Sequence, residues 1–311
     1  MNQNLFLKNK KIGDTIEFIG KITSINKGEH FFNIDLLLIE DFVINIKIKP
    51  SFPTPEKEKI YFFKTKYKEK NEKNILLCEE YDIIENVLNL EQVFDYYKHF
   101  FKCSPLSFHT IDKKINIFLS KIQNPILKKI THNLYSKNKI KFLISPAACK
   151  MHHDYYGGLS YHTLNMLNIS HHYVAIYPFL NQDLLNCGII LHDMAKIIEF
   201  DFLSKTYTKK GKLLGHLILG VNYVHEEALL LGFQDKEEIL LLKHLLISHH
   251  GLLQYGAAKE PQIGEALLLW YLDDIDAKLN TLNENIKETE KGEFTENLSV
   301  IKGRSFYKPN L

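Results

Sequence analysis

Residues 185–196 read LNCGIILHDMAK, and their spacing decides how the second half of the chain folds. At helical period, Leu185, Gly188, His192 and Ala195 share one face, and Asp193 stands about 100° further round. Ionisable groups are rarely buried unless they are paired or bound to metal, so a charged pair in an apolar helix needs a partner. The same situation recurs nearby. His162 shares a stripe with Met166, Ile169 and Tyr173, and His216 lines up with Gly220 and Tyr223. Asp235 and Glu238 make a D-x-x-E start for a helix that Gly251 ends, with His249 and His250 in its last turn. Pro261 suits the first turn of the next helix, where Asp273 lies with Ala266, Leu269, Trp270 and Ala277. Imidazoles and carboxylates bind borderline transition metals through nitrogen and oxygen. His162, His192, Asp193, His216, His249, His250 and Asp273 can surround two ions, which points to a metal-dependent hydrolase. The competing reading is a set of hydrogen-bonded core residues. With 15 histidines, pairs such as His152-His153 and His171-His172 arise by chance. A shared metal centre has the advantage that it satisfies all the inward ionisable groups together.

Upstream, the first eighty or so residues have a different period. Stretches 15–24, 30–38, 42–49, 60–68 and 74–78 are rich in β-branched and aromatic residues. In Ile44-Asn45-Ile46-Lys47-Ile48-Lys49 the isoleucines take one face of a strand and the polar groups the other. Lys27-Gly28-Glu29 and residues 69–72 suit hairpin turns. Five short strands fit a small closed barrel, either an OB-fold, which often binds single-stranded nucleic acid, or an SH3-like barrel of similar strand count. Between barrel and metal residues, stretches 88–102, 111–122 and 125–135 are amphipathic and helical, punctuated by Pro105 and Pro125. The expected organisation is therefore a two-domain chain. Residues 1–84 form an OB-fold-like nucleic-acid-binding domain, 85–145 a helical connector packing on the second domain, 146–282 an all-α domain carrying the ligands, and 283–311 a polar tail.

The bulk numbers agree with a globular protein of about this complexity. The chain has 311 residues, 45% apolar and 24% charged, with a net charge of +2. Near-neutrality neither demands nor excludes an anionic partner. The N-terminus lacks the apolar run of a signal peptide, and no stretch approaches the roughly 18 apolar residues of a membrane span. Cys78, Cys103, Cys149 and Cys187 form no C-x-x-C and read as reduced packing thiols. A cytoplasmic protein without a membrane partner is expected.

The order H…HD…H…HH…D resembles the HD-domain phosphohydrolases. More narrowly, the chain is similar to the YhaM-type 3′-5′ exoribonucleases, which join an OB-fold to an HD domain. The matching segments are SPAACKMHHDYYGGLSYH (145–162), LHDMAK (191–196), LLGHL (213–217), LISHHG (246–251), YLDDIDAKLN (271–280) and GEFTENLSVIKGRSFYKP (292–309). Two departures leave the ligand set intact: Lys150-Met151 replaces a more histidine-rich stretch, and Ala195 stands where glycine is usual. The resemblance implies that His162, His192, Asp193 and Asp273 hold one ion. Asp193 then bridges to a second ion held by His216 and one or both of His249 and His250. Asp276, close to one turn beyond Asp273, is expected to orient a ligand rather than bind metal.

A two-metal centre suits phosphodiester hydrolysis, because it lowers the pKa of a bridging water and neutralises phosphoryl charge. Asp193 and Lys196 are the expected catalytic residues. Lys196 sits in HDxxK, where its charge suits a phosphate or leaving oxygen; elsewhere it would read as a solvated lysine. Lys150, His152 and His153 precede a Gly157-Gly158 turn and read either as phosphate or ribose contacts or as a structural turn. Divalent ions, two per chain, are expected, with Mn²⁺ favoured and Fe²⁺, Co²⁺ or Mg²⁺ as alternatives. In the barrel, Phe31, Phe32, Tyr61, Phe62, Phe63 and Tyr67 divide between core positions and exposed positions that can stack bases. Lys47, Lys49, Lys64, Lys66 and Lys68 can follow a phosphate backbone, or else are ordinary solvated faces. The leading reading is a metal-dependent 3′-5′ exonuclease acting on single-stranded RNA, with single-stranded DNA as a secondary substrate, and releasing 5′-mononucleotides. A phosphohydrolase of a small nucleotide or cyclic dinucleotide is the alternative, and a non-enzymatic nucleic-acid-binding protein the third reading. The oligomeric state is open, with a homo-oligomer among the options.

Overall fold

The computed structural model describes residues 3–70, 73–148, 155–202, 204 and 206–311. They fall into two compact units, Met1–Lys102 and Cys103–Leu311. The stretch expected as a connector is shared between these units.

The first unit opens with a short helix, α1 (Gln3–Phe6), and continues as five strands: β1 (Thr15–Lys27), β2 (Phe32–Leu37), β3 (Val43–Ile48), β4 (Ile60–Lys70) and β5 (Lys73–Ile83). They close into a barrel in the order β1-β2-β3-β5-β4, an OB-fold-like arrangement. Closure depends on β1 serving two neighbours. Its first half pairs with β4, from Thr15↔Lys66 to Lys21↔Ile60, and its second half with β2, from Lys21↔Leu37 to Lys27↔Phe32. A bulge between Ile22 and Ser24 bends the strand near this change of partner. The only parallel pairing among the described strands is β3 with β5, at Ile46↔Leu76 and Lys47↔Leu77. The alternation expected for β3 holds: Ile44, Ile46 and Ile48 are buried in the barrel, while Asn45 and Lys47 are half-buried.

The aromatic residues differ from expectation. Tyr61, Phe63 and Tyr67 are core residues, whereas Phe31, Phe32 and Phe62 are half-buried, so none of the six stands exposed. Apolar rings release more free energy by packing in so small a barrel than by facing water. Two helices, α2 (Ile84–Val87) and α3 (Leu90–Phe100), complete this unit. Asn89 caps α3, accepting from Gln92 N while the Gln92 side chain accepts from Asn89 N.

The second unit is helical: α4 (Phe108–Lys121), α5 (Pro125–Ile144), α6 (Gly158–Ile176), α7 (Gln182–Leu191), α8 (Lys196–Glu199), α9 (Lys209–Leu231), α10 (Glu237–Ser248) and α11 (Gly264–Glu288). A two-stranded hairpin, β6 (Phe200–Asp201) with β7 (Thr206–Tyr207), separates α8 from α9. Every residue of α7 from Leu184 to Leu191 is buried, which makes it the central helix. Helix α5 runs well past its expected end at Tyr135. The polar residues there find tertiary partners, since Lys139 pairs with Asp112 at 2.6 Å and Lys137 pairs with Glu227. Cys78 and Cys187 are buried, and burial pushes both thiols up to about 12, as suits packing cysteines. Cys149 lies outside the described residues. Among the described residues, no helix is long and apolar enough to cross a membrane.

Three helix ends depart from the sequence reading. Helix α7 stops at Leu191, so His192 to Ala195 form a turn rather than a helical face. The cause is a switch to tighter bonds, Met194 N to Leu191 O and Lys196 N to Asp193 O. Helix α10 is preceded by Lys236 without a side-chain cap, and Glu238 instead accepts from Asn124 Nδ2 at 3.1 Å. Helix α11 starts at Gly264, so Pro261 lies in the preceding loop.

Candidate metal centre

The seven residues singled out from sequence converge in the second unit, each delivered by an element end or an inward helical face. His162 comes from α6 and Asp273 from α11. His192 and Asp193 come from the turn closing α7. His216 follows a kink in α9 at Gly215, whose φ of 69° breaks the helix and swings the next turn. His249 and His250 close α10, where Gly251 takes φ 77° and donates its N–H to Ser248 O. A Cβ on Gly251 would lie 1.9 Å from Trp270 Cε2, so glycine is required there for space as well as for conformation.

Four histidines are held in one way. Each uses Nδ1 for an anchor and turns Nε2 inward. His192 Nδ1 donates to Ile189 O at 2.8 Å and His249 Nδ1 to Leu246 O at 2.9 Å. His162 Nδ1 meets Asp276 Oδ2 at 2.6 Å, and His216 Nδ1 meets Glu199 Oε2 at 2.9 Å. A carbonyl or carboxylate oxygen can only accept, so these contacts put a proton on Nδ1 and, in the neutral ring, leave Nε2 with its lone pair. Asp276 thus stands where it can orient His162. Glu199 is a residue that the motif reading passes over; the available signal was a lone carboxylate in the apolar run IIEF.

The inward atoms surround Asp193. Its Oδ1 lies 3.4 Å from His216 Nε2 and 3.6 Å from His249 Nε2. Its Oδ2 lies 3.3 Å from His192 Nε2 and 2.7 Å from Lys196 Nζ. His162 Nε2 is 3.2 Å from Asp273 Oδ1, and His216 Nε2 is 3.2 Å from His250 Nε2. Ligand atoms about 2.0–2.2 Å from a first-row ion stand about 2.8–3.6 Å from each other, and the contacts among these ligand atoms fall in that range. Meanwhile His192 Nε2, Asp193 Oδ1 and His249 Nε2 are buried with no hydrogen-bond partner among the described residues. Such atoms are costly to leave unmatched, and divalent cations would satisfy them. The donor set therefore fits metal. Among the described residues, three overlapping groups have ligand atoms close enough to share an ion: His162, His192 and Asp193; His216, His249 and His250; and His192, His249 and Asp273.

The electrostatics favour cations. Burial opposes the charge on Asp193, but Lys196 and His192 outweigh it and hold its carboxyl well below the ordinary range. Asp273 is likewise depressed, burial being overcome by His162 and His192. Burial pushes His249 down, and burial with the neighbouring His249 and His216 takes His250 down to about 3. Both are neutral at physiological pH, as ligands must be. His162 is the opposite case: burial disfavours its charge, yet Asp273 and Asp276 raise it to about 10. A metal ion at its Nε2 would replace a proton. Lys196 keeps its charge because Asp193, Asp273 and Glu199 outweigh desolvation and raise its pKa. Lys150, His152 and His153 lie outside the described residues.

Comparison with known proteins agrees with this geometry. Residues 159–278 match the family model of the HD domain. Over 317 aligned residues the chain is 34% identical to the 3′-5′ exoribonuclease YhaM of Geobacillus sp. (strain WCH70), covering 96% of this chain and 93% of that relative. A barrel followed by a helical unit with a clustered H…HD…H…HH…D set, together with near full-length similarity, identifies the chain as an HD-domain phosphohydrolase, a metal-dependent hydrolase belonging to the family of the YhaM exoribonucleases.

Proposed function

We propose that this protein is a metal-dependent 3′-5′ exonuclease that hydrolyses single-stranded RNA, and also single-stranded DNA, to 5′-mononucleotides with two divalent ions, manganese favoured. The observation that carries the two-ion reading is the orientation of Asp193. Its Oδ1 faces His216 and His249, while its Oδ2 faces His192. Asp193 with His162, His192 and Asp273 would hold one ion, and Asp193 with His216, His249 and His250 the other. Bound there, the ions supply Lewis acidity toward the phosphoryl oxygens and activation of a water nucleophile.

The protein's own residues do the rest. Asp193 fixes the spacing of the two halves through one rigid carboxylate. Lys196 is held 2.7 Å from Asp193 Oδ2 and is largely buried, so its charge is already oriented before substrate arrives. A charge of this kind stabilises developing negative charge without reorganisation, and we assign it to a non-bridging or leaving oxygen of the phosphate. Lys150, His152 and His153 are assigned to the phosphate or ribose on sequence grounds.

RNA as substrate and the 3′-to-5′ direction are taken from the similarity to the Geobacillus exoribonuclease. The barrel supports a strand-shaped substrate. Tyr61, Phe63, Thr65 and Tyr67 of β4 point inward, which leaves Lys64, Lys66 and Lys68 on one outer face of the strand. Such a row can follow a phosphate backbone. The buried thiols suit a reducing cytoplasm.

The test is incubation of the full chain with 5′-end-labelled single-stranded RNA and Mn²⁺, with Asp193→Ala as control. The expected result is a ladder shortening from the 3′ end, with labelled 5′ fragments and released 5′-mononucleotides. Intact RNA together with turnover of a cyclic dinucleotide would replace this reading with the small-substrate one.

A further inference from the structure

The four anchored histidines divide into two kinds. His192 and His249 take carbonyls three residues back in their own chain, so their anchors form whenever the local turn forms. His162 and His216 depend on carboxylates from elsewhere, Asp276 on α11 and Glu199 at the end of α8. Glu199 stands outside the H…HD…H…HH…D pattern, yet it is buried at 5% exposure and uses both of its oxygens on one residue. Oε2 is 2.9 Å from His216 Nδ1, and Oε1 accepts the backbone N–H of His216 at 3.0 Å. The kink at Gly215 frees that amide, because it interrupts the helical bonding of α9. Glu199 is in turn fixed by its backbone: its N–H donates to Ala195 O at 3.1 Å, and its carbonyl accepts from Thr208 N at 2.9 Å. One carboxylate therefore clamps both ring and backbone of His216 from a rigid support.

We propose that Glu199 is a positioning residue for the half of the centre that faces Asp193 Oδ1. It holds His216 in the tautomer with the proton on Nδ1, so that the Nε2 lone pair points at the space shared with His250 Nε2, 3.2 Å away, and Asp193 Oδ1, 3.4 Å away. Its loss would weaken one ion and spare the other. A merely structural carboxylate would affect both ions, or neither, through the fold. This inference rests on the two-ion reading for which ion it affects, but not for the tautomer it imposes.

The variant that separates these roles is Glu199→Gln. It keeps the size of the side chain but has one acceptor oxygen for two donors, so its amide nitrogen must face either Nδ1 or the His216 amide. Three readouts on the full-length wild type and variant decide the matter: Mn²⁺ binding by calorimetry, the tautomer pattern of ¹⁵N-histidine-labelled protein by NMR, and the thermal midpoint of the metal-free chain. We expect wild type to bind two Mn²⁺. Glu199→Gln should weaken one of them by about 10- to 100-fold and leave the other unchanged. The His216 signal should leave the Nδ1–H pattern, and the midpoint should stay close to wild type. Unchanged binding and an unchanged tautomer in the variant would overturn the inference, as would equal weakening of both ions with a collapsed midpoint. Should Glu199→Gln not fold, Glu199→Asp, which keeps the charge but shortens the reach, is read by the same criteria. A wild type binding one ion or none would sink the two-ion reading instead, and the tautomer readout would still decide the role of Glu199.

Discussion

The barrel and the helical unit both pack apolar side chains inside, but the helical unit also buries a cluster of ionisable ones. In the barrel, Ile22, Ile34, Leu36, Ile44, Ile46, Ile48 and Phe63 are buried, and the buried polar residue Thr65 is satisfied by Ile16 O at 3.0 Å. The helical unit buries His162, His192, Asp193, His216 and His249 around one point, with several inward atoms left without a hydrogen bond among the described residues. Each such atom costs about 1–3 kcal/mol. An interior of the first kind is explained by folding alone. The unmatched atoms of the helical unit oppose folding on their own, and bound cations would satisfy them.

The largest effect that can break this contrast comes from Asp193. Asp193→Asn keeps the shape but removes the carboxylate charge, so nuclease activity should fall about 10³-fold or more, which is about 4 kcal/mol of transition-state stabilisation. The chain should stay folded by circular dichroism. A variant keeping a tenth of wild-type activity would show that this interior is structural after all. Next is Ile46→Ala in the barrel. Truncating a fully buried isoleucine should cost about 2–5 kcal/mol in urea unfolding of the barrel, with Mn²⁺ stoichiometry unchanged. A change in metal content would mean that the two interiors are not separate in kind.

Gly251→Ala probes how folding and chemistry meet in the helical unit. The added Cβ meets the Trp270 ring and takes a backbone conformation that L-residues avoid. About 2–3 kcal/mol of stability should be lost, and Mn²⁺ affinity should fall because His249 and His250 precede the turn. A destabilised variant with wild-type affinity would uncouple that turn from the site. The smallest effect concerns an ordinary ion pair in the same unit, between the buried Glu227 and the exposed Lys137. Burial opposes the charge on Glu227, but Lys137 and Asn133 more than offset it and lower its pKa. A depressed folded pKa adds stability that is present above the unfolded value of about 4.5 and lost as pH falls through the folded one. Lys137→Met should flatten the acid limb of the stability–pH curve. An unchanged acid limb would assign the pH dependence to the metal centre.

Much of this was legible because it follows a period. The alternation of Ile44, Ile46 and Ile48 marks a strand face, and the helical spacing of His162 with Met166 and of Asp273 with Ala266 and Leu269 marks inward positions, although Ile169 and Tyr173 on the expected His162 stripe are exposed. What the period misses depends on partners far away in the chain. Strand β5 runs to Ile83 because β4 continues to pair with it, out to Tyr61↔Ile83. The turn from His192 to Ala195 looks helical in sequence, since only its tighter hydrogen bonds set it apart. Glu199 left only the signal of a carboxylate in an apolar run, because both contacts of its side-chain oxygens are to His216, 17 residues later. The exposed aromatics expected on the barrel were an error of weighting, because alternation alone does not say how much of a ring a small barrel covers.

The central claim is that Asp193 stands between two ions. Anomalous diffraction at the manganese edge from crystals of the full chain grown with Mn²⁺ tests it most directly. Two peaks are predicted, one in contact with each Asp193 oxygen, with His162, His192 and Asp273 about the first and His216, His249 and His250 about the second. A single peak, or peaks that do not share Asp193, would contradict the account.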